Sequence, residues 1–365
     1  MVAERRQNVG MPAPGELIKV AVAVVTYGNR TEHLSRMLEG IFQQTTSEAI
    51  HCVVICDNGA SKESKTLLAD VAAQRSKVHI VPLPENTGSA RGFSEAIQAA
   101  AASGCTHIWC LDDDNRPYSD ALERLLGSLE SVEPGAALLS LRDAFPRYVR
   151  RAQGAPVEEV FERPYSFLGF SVLDLPKKVR RRFLAYSYDT SQTVSETNPV
   201  WIPYAPYGGF LFKAEQLLEV GLPKDAFYLY EDDHEFTARF AARGHPIYLI
   251  PSSRIEDMEQ SWYLSLPDRS RWGSQRLLID GEESMLMRRF YATRNRAFFE
   301  YHSLGWGRNA LYSLNVSVYL LLLFIQTLLL RIHGQRLSWI SFTTILRAAL
   351  DGWRGRLGRV SEAAR

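Results

Sequence analysis

Apolar and polar positions follow two alternating rhythms over the first third of the chain. Residues 18–26 form an apolar, β-branched run of the kind found in a strand covered on both faces. Residues 31–44 then place Leu34, Leu38, Ile41 and Phe42 at helical spacing. The pair of rhythms repeats. Strands are predicted over 51–56, 78–82 and 106–111, with helices over 64–73 and 89–103 between them. Successive strand–helix–strand units predict an α/β fold, with a mainly parallel sheet and helices on both faces. Ligands of such sheets bind beyond the carboxyl ends of the strands, so the residues following each strand are the first place to look for chemistry.

The rhythm is lost over 142–200, which holds a basic run at 177–182 and a polar stretch at 190–198. This reads as an insertion over one face of the sheet. A strand at 207–212, a helix at 231–243 and a short strand at 246–250 resume the pattern. Residues 252–281 read as a long loop, either a lid or an acceptor surface. Helical segments dominate from 282 onwards. Residues 310–330 carry no charge and are long enough to span a bilayer core. Asn315, Tyr319, Gln326 and His333 fall near one helical face, which fits a helix lying in the interface equally well. A helix buried in a bundle is the third alternative. The chain thus divides into a flexible N-terminus (1–16), an α/β domain (17–300) and a helical, membrane-associating region (301–365). Cutting after Arg308 is then expected to leave a soluble body that still binds nucleotide.

Composition narrows the class. Of 365 residues, 46% are hydrophobic and 23% charged, which excludes a disordered, collagen-like or multi-span membrane chain. The 42 basic and 41 acidic residues nearly cancel, so no global field argues for nucleic acid. The last 35 residues nevertheless hold seven arginines against Asp351 and Glu362, which suits an anionic cytoplasmic leaflet. Four cysteines are too few for a disulfide scaffold and read as reduced core thiols. No apolar stretch follows the first basic residues, so a cytoplasmic body is expected.

Polar motifs follow the predicted strands in order. Thr26, Tyr27 and Arg30 close the first, and Asp57-Asn58-Gly59 closes the second. Asn86 to Gly92, with Gly88 and Arg91, opens a helix, where glycine-rich backbone suits close approach to a phosphate-bearing ligand. Asp112-Asp113-Asp114 ends the fourth strand. Three adjacent carboxylates repel one another, and hard oxygen ligands suit Mg²⁺ or Mn²⁺ bridging to a diphosphate. An acidic turn capping the next helix is the alternative. Glu231-Asp232-Asp233-His234-Glu235 opens the later helix, where acids also favour the macrodipole. A general base for an acceptor hydroxyl is the functional alternative.

Together, VVTYGNR, CDNG, NTGSARGF, LDDDN, GGF and EDDHEF resemble the inverting glycosyltransferases of family 2, over roughly residues 18–300. The resemblance implies a GT-A fold, a Rossmann-like nucleotide-diphospho-sugar transferase architecture, using Mn²⁺ or Mg²⁺. It implies that Asp112 and Asp114 hold the metal and diphosphate. Thr26, Tyr27, Arg30, Asp57, Gly88, Arg91 and Asp113 would bind the nucleotide sugar. Gly208, Gly209 and Trp262 would line the acceptor side, and Asp233 would be the base, with Asp232 as the alternative. Many relatives place a metal-binding His after the following strand. Here that stretch has none, leaving Glu256 or Asp257 as substitutes.

The arginine-rich 288–295 and 351–358 segments resemble bacterial rhamnosyl- and galactofuranosyltransferases of cell-surface polysaccharide assembly. The implied partners are a UDP- or dTDP-sugar donor, a lipid-linked glycan acceptor and the cytoplasmic membrane surface. Two rivals remain. A nucleotidyltransferase of related fold would carry a basic glycine-rich loop after the first strand, which is absent. The other is a membrane-associated nucleotide-sugar-binding protein without catalysis, from which an enzyme would be told by losing transfer when Asp233 is replaced with nucleotide binding intact.

Overall fold

A computed structural model of the chain describes residues 17–176, 198–259, 283–332 and 337–360. The 177–182 basic run, Trp262, most of the expected 252–281 loop and His333 lie outside the described residues. A nine-stranded sheet carries the fold, in the order β3-β2-β1-β4-β8-β6-β9-β5, with β7 pairing β9. The strands are β1 (Val20–Gly28), β2 (Ile50–Ala60), β3 (Val78–Leu83), β4 (His107–Asp112), β5 (Asn115–Pro117), β6 (Ala137–Arg142), β7 (Val200–Ile202), β8 (Phe210–Lys213) and β9 (Ile247–Asp257).

Successive residues of β1 feed opposite faces, and those from Val20 to Thr26 are all buried. Val20, Val22 and Val24 pack with Leu34, Met37 and Ile41 of helix α1 (Thr31–Phe42), with Leu68 of α2 (Lys62–Gln74), and with Leu122 and Leu125 of α4 (Ala121–Ser128). Ala21, Ala23 and Val25 pack with Phe93 and Ile97 of α3 (Ser89–Ala102) on the other face. This two-sided burial is why the run reads as continuous rather than alternating.

Helices cover both faces, as the rhythm predicts. Three features differ from the sequence reading. Strand β8 runs antiparallel to both β4 and β6, so it splits the parallel sheet into β1–β4 and β6/β9. Strand β9 does not stop at 250. It shifts register against β6 between Ser140 and Leu141, then continues to Asp257, so the start of the expected long loop is strand. Strand β6 had no counterpart in the sequence reading, and it brings Arg142 to the same sheet edge as Asp112.

The expected insertion contains short helices α5 (Pro146–Ala152) and α6 (Val157–Val160). Beyond β8 follow α7 (Leu217–Val220) and α8 (Asp232–Ala242). The remainder is helical: α9 (Glu283–Phe298), α10 (Ala310–Ile332) and α11 (Leu337–Trp353). Helix α9 runs straight into a π-turn at Phe299–Ser303, so the domain boundary expected at 300 falls inside continuous helix.

Helix α10 covers the uncharged segment. It buries Tyr312, Asn315, Tyr319, Leu323 and Thr327 and exposes Leu314, Leu321, Ile325, Leu328, Leu329 and Ile332. Asn315 is fixed on the protein side. Its Nδ2 donates to the Tyr165 carbonyl at 2.7 Å, and its Oδ1 accepts from the Val172 amide at 2.8 Å. Among the described residues α10 alone is long and apolar enough to cross a membrane, yet only 22% of that window is buried in protein.

Candidate active site

Parallel register delivers the polar motifs to one edge. Thr26 stands beside Asp57, and Val25 beside Asp112. Thr26 is fully buried, and its hydroxyl donates to Asp113 Oδ2 at 2.8 Å. The Arg30 guanidinium approaches the same oxygen at 3.7 Å and also pairs with Glu259. Burial pushes the Asp113 carboxyl up to about 6, against the pull of Arg30 and the Thr26 hydroxyl. Tyr27 is half exposed, with Arg30 5.3 Å over its ring. Asp57 Oδ1 accepts from the Ala60 amide at 2.7 Å, and Oδ2 lies 3.7 Å from Lys65. One of its oxygens therefore does turn work.

Asn58, which the sequence reading gave no role, pins the glycine-rich loop. It donates to the Gly88 carbonyl at 2.9 Å and accepts from the Thr87 amide at 2.8 Å. Gly88 has φ +90°, and a Cβ there would collide with the Tyr228 carbonyl. This glycine serves a close approach between two loops of the site. Arg91 turns away instead: it is bound by Asp225 at 2.7 Å and by Glu95 at 2.5 Å. The expected contact of Arg91 with the diphosphate is therefore not made by this arrangement.

Asp112 and Asp114 flank the end of β4. Burial raises both carboxyls, and neighbouring carboxylates, Asp257 among them, raise them further. Arg142, the last residue of β6, is buried between them: Nη1 lies 3.1 Å from Asp112 Oδ2, while Nε donates to Asp257 Oδ1 at 2.7 Å. Asn115 joins the group, donating to Asp257 Oδ1 at 3.0 Å and to Asp114 Oδ1 at 3.2 Å. Gly208 abuts this cluster, and a Cβ there would strike Asn115, Arg142 and Asp112. Gly209 instead stitches the sheet, donating to Cys110 O at 2.8 Å and accepting from the Ser140 amide at 3.1 Å.

Of the two candidate substitutes for the missing His, Asp257 faces the cluster. Glu256 points outward to Arg36 and Arg116. Asp257 Oδ2 is buried without a hydrogen-bond partner among the described residues. That orphaned oxygen, and the crowded carboxylates of Asp112 and Asp114, suit a hard divalent cation. Among the described residues no three His, Cys, Asp or Glu are already gathered as a metal shell, so donor phosphate oxygens would complete it.

The second acidic group opens α8. Ser89 donates to both Asp232 oxygens, at 3.2 and 3.0 Å, which ties the start of α3 to the start of α8. Asp232 is buried, and burial together with the charge of Asp233 raises its carboxyl. Asp233 accepts from the His234 amide at 2.7 Å, and its charge reaches Asp112. The two acidic groups therefore belong to one site. The buried hydroxyls of Tyr148 and Tyr207 also feel Asp233, and neither has a hydrogen-bond partner among the described residues.

Behind Asp233 lies a network that the sequence reading missed. Glu231 accepts from Arg296 Nη1 at 3.1 Å and contacts His234 Nδ1 at 3.2 Å. Arg296 also reaches Glu162 at 3.2 Å and Glu300 at 2.9 Å. Burial alone would raise the Glu231 carboxyl, but Arg296 and His234 overrule it and hold it at about 2. Arg294, Asn295 and Arg296 are all buried, although consecutive polar residues on a helix ordinarily mark a solvent face.

The model of the family described as glycosyl transferase family 2 matches residues 21–185. Residues 21–185 are thus similar to a family 2 glycosyltransferase domain. The match includes the aspartate triplet and Arg142 but ends before Gly208 and Asp232. No curated protein sequence matches the chain. In fold, the chain is similar to a solved structure described as "Crystal structure of GalNAc-T7 with UDP, GalNAc and Mn2+". The TM-score is 0.51 at 15% sequence identity, over 78% of this chain and 47% of that one. The chain spans about half the length of that protein, and the likeness establishes the GT-A architecture.

Proposed function

We propose that this glycosyltransferase works with inversion and with a divalent metal, moving a sugar from a UDP- or dTDP-linked donor to a hydroxyl of a lipid-linked glycan. Galactofuranose and rhamnose are the donor sugars favoured by the resemblance of 288–295 and 351–358. The observation that carries the reading is the meeting of two acidic groups. Asp112–Asp114 end the fourth strand; the Thr237 hydroxyl joins the Asp233 carbonyl to that of Ala205, three residues before Gly208, which abuts Asp112. A lone acidic strand end would serve binding only, whereas a second carboxylate across the site supplies a base.

Asp233 takes the proton of the acceptor hydroxyl as its oxygen attacks the anomeric carbon. The bond from that carbon to the diphosphate breaks on the opposite face, which inverts the centre. Asp232, both of whose oxygens accept from Ser89, serves as the fixed neighbour. Thr26 and Arg30 orient Asp113 for the nucleotide. Asp112 and Asp114 would hold a Mn²⁺ or Mg²⁺ ion, with Asp257 adjacent, and that cation would supply positive charge against the leaving diphosphate. Arg142 adds a permanent charge of the same sign.

The exposed aliphatic face of α10 supports docking at a membrane surface, and the following arginines suit an anionic cytoplasmic leaflet. The test is a panel of UDP- and dTDP-sugars, including UDP-galactofuranose and dTDP-rhamnose, with and without Mn²⁺ and with bacterial envelope lipid as acceptor. Transfer of radiolabel to lipid with inverted configuration supports the reading. Transfer with retained configuration, or no transfer with any donor, removes it.

A further inference from the structure

The segment that leads into Asp232 and Asp233 is held in a conformation that its own sequence disfavours. Tyr228, Tyr230 and Glu231 have φ of 65°, 67° and 60°. None is glycine, asparagine or aspartate, the residues that tolerate this region best. Around Tyr228, with ψ −59°, the Leu229 amide donates to the Phe227 carbonyl at 2.8 Å. This is a γ-turn of the rarer and more strained hand. Such backbone persists only where its surroundings over-determine it.

The surroundings that do so come from one turn of α9 and from the chain beyond α11. Asn295 is fully buried, and its Nδ2 lies 2.9 Å from the Phe227 carbonyl, 2.7 Å from that of Leu229 and 3.0 Å from that of Tyr230. Arg294 Nε donates to Asn295 Oδ1 at 2.9 Å, which fixes the carboxamide with its nitrogen toward the loop. Arg294 Nη2 reaches the Phe227 carbonyl at 3.2 Å, and Nη1 reaches the Gly358 carbonyl at 2.7 Å. The Gly358 amide closes the ring by donating to the Ala226 carbonyl at 2.6 Å. Arg296, one residue on, holds the Glu231 side chain.

We propose that Asn295 is a positioning residue for transfer: with Arg294 and the Gly358 backbone it clamps residues 226–230 so that Asp233 points at the acceptor. The clamp rests on the reading of Asp233 as the base. It also joins the helical region to the site, because α11 crosses α9 at Gly352, where a Cβ would strike the Arg294 carbonyl. The helices that expose the aliphatic face therefore share a rigid seam with the strained loop.

The experiment compares the full chain with Asn295→Leu, Asp233→Asn and a deletion of residues 358–365. Hydrogen exchange is followed by peptide, and turnover is measured with whichever nucleotide sugar of the panel is used. Asn295→Leu is expected to speed exchange in 225–231 at least tenfold, with β1–β4 unchanged. It should lower kcat by about 10²-fold, as a misplaced group does, with KM for the donor within about twofold. The 358–365 deletion should do the same to a lesser degree, and it carries the test if Asn295→Leu fails to fold. Unchanged exchange at 225–231 overturns the clamp. So does wild-type kcat in Asn295→Leu when Asp233→Asn is inactive. If Asp233→Asn keeps full activity, the base assignment falls, and the exchange data alone then decide whether the loop is clamped.

Discussion

Helices α1 and α10 bury opposite kinds of residue. Helix α1 turns Leu34, Met37, Leu38 and Ile41 onto the sheet and leaves Glu32, Ser35 and Glu39 in solvent. Helix α10 turns Asn315 and Thr327 inward with its tyrosines, and shows Leu314, Leu321, Ile325, Leu328, Leu329 and Ile332 outward. Full burial of one aliphatic side chain is worth about 1.5–3 kcal/mol. Leu314 and Leu321 forgo much of it, at 50% and 57% exposed. A helix in water gains nothing from that choice. A helix whose outer face meets hydrocarbon recovers it. The comparison teaches that solvent-facing and protein-facing polarity are set element by element, not by the chain's composition.

If the sheet edge is where chemistry occurs and α10 is only a docking face, substitutions should separate the two regions. The largest effect is expected at Asp114. Asp114→Ala should abolish transfer and the Mn²⁺-dependent part of donor binding, read by calorimetry with and without the ion. A mutant with intact metal dependence would detach Asp114 from the cation. Next, Asp233→Asn should lower transfer by about 10²-fold or more with donor affinity retained. Loss in Asp232→Asn instead would move the base by one residue.

The inverted polarity of α10 gives the sharpest contrast. Asn315→Leu adds an apolar group to an apolar helix, yet it should destabilise by about 1–3 kcal/mol, because the Val172 amide and Tyr165 carbonyl lose their partner. Leu321→Asp with Leu328→Asp should shift stability within about 0.5 kcal/mol per site, as exposed substitutions do, while abolishing flotation with anionic liposomes. If the double mutant melts early and Asn315→Leu does not, α10 is an ordinary core helix. The smallest effect is expected at Arg91, whose guanidinium is occupied by Asp225 and Glu95. Arg91→Ala should change donor KM less than about threefold, and a tenfold change would return it to the nucleotide.

Strands β1 to β4 were legible because each is a short apolar run bounded by turn residues and followed by a clean helical period. The aspartate triplet and the Asp232–Asp233 pair were legible for the same reason, as charged residues at the ends of apolar runs. Strand β6 was not, since ALLSLR lies inside a stretch with no period on either side. The end of β9 was not, because its last residues are polar and its register shift at Ser140 breaks the alternation. Arg142 was hidden with β6. Arg294 and Asn295 were noticed only within the 288–295 resemblance and Arg296 not at all, because consecutive polar residues on a helix carry no sign of burial; only their neighbours Phe290, Tyr291 and Phe298 hinted that this stretch is enclosed. The expectation that a cut after Arg308 leaves a sound nucleotide-binding body also changes. Such a cut removes α11, which packs along α9, and the Gly358 contacts to Arg294 and Ala226.

The order of these pieces along the chain has a consequence during synthesis. A ribosome delivers the chain from its N-terminus, and domains fold as they emerge. The aspartate triplet and Arg142 emerge first, but β4 and β6 are joined only when β8 is out, and Asp257 and Glu259 come later still. Asp233 follows some ninety residues later, about the span between 142 and 233. Asn295 comes next, and Gly358 comes last. A chain ended before Gly358 would lack the contacts to Arg294 and Ala226 that hold the loop leading to Asp233. The loop before Asp233 would therefore take its final form only when the helical region had folded against the body.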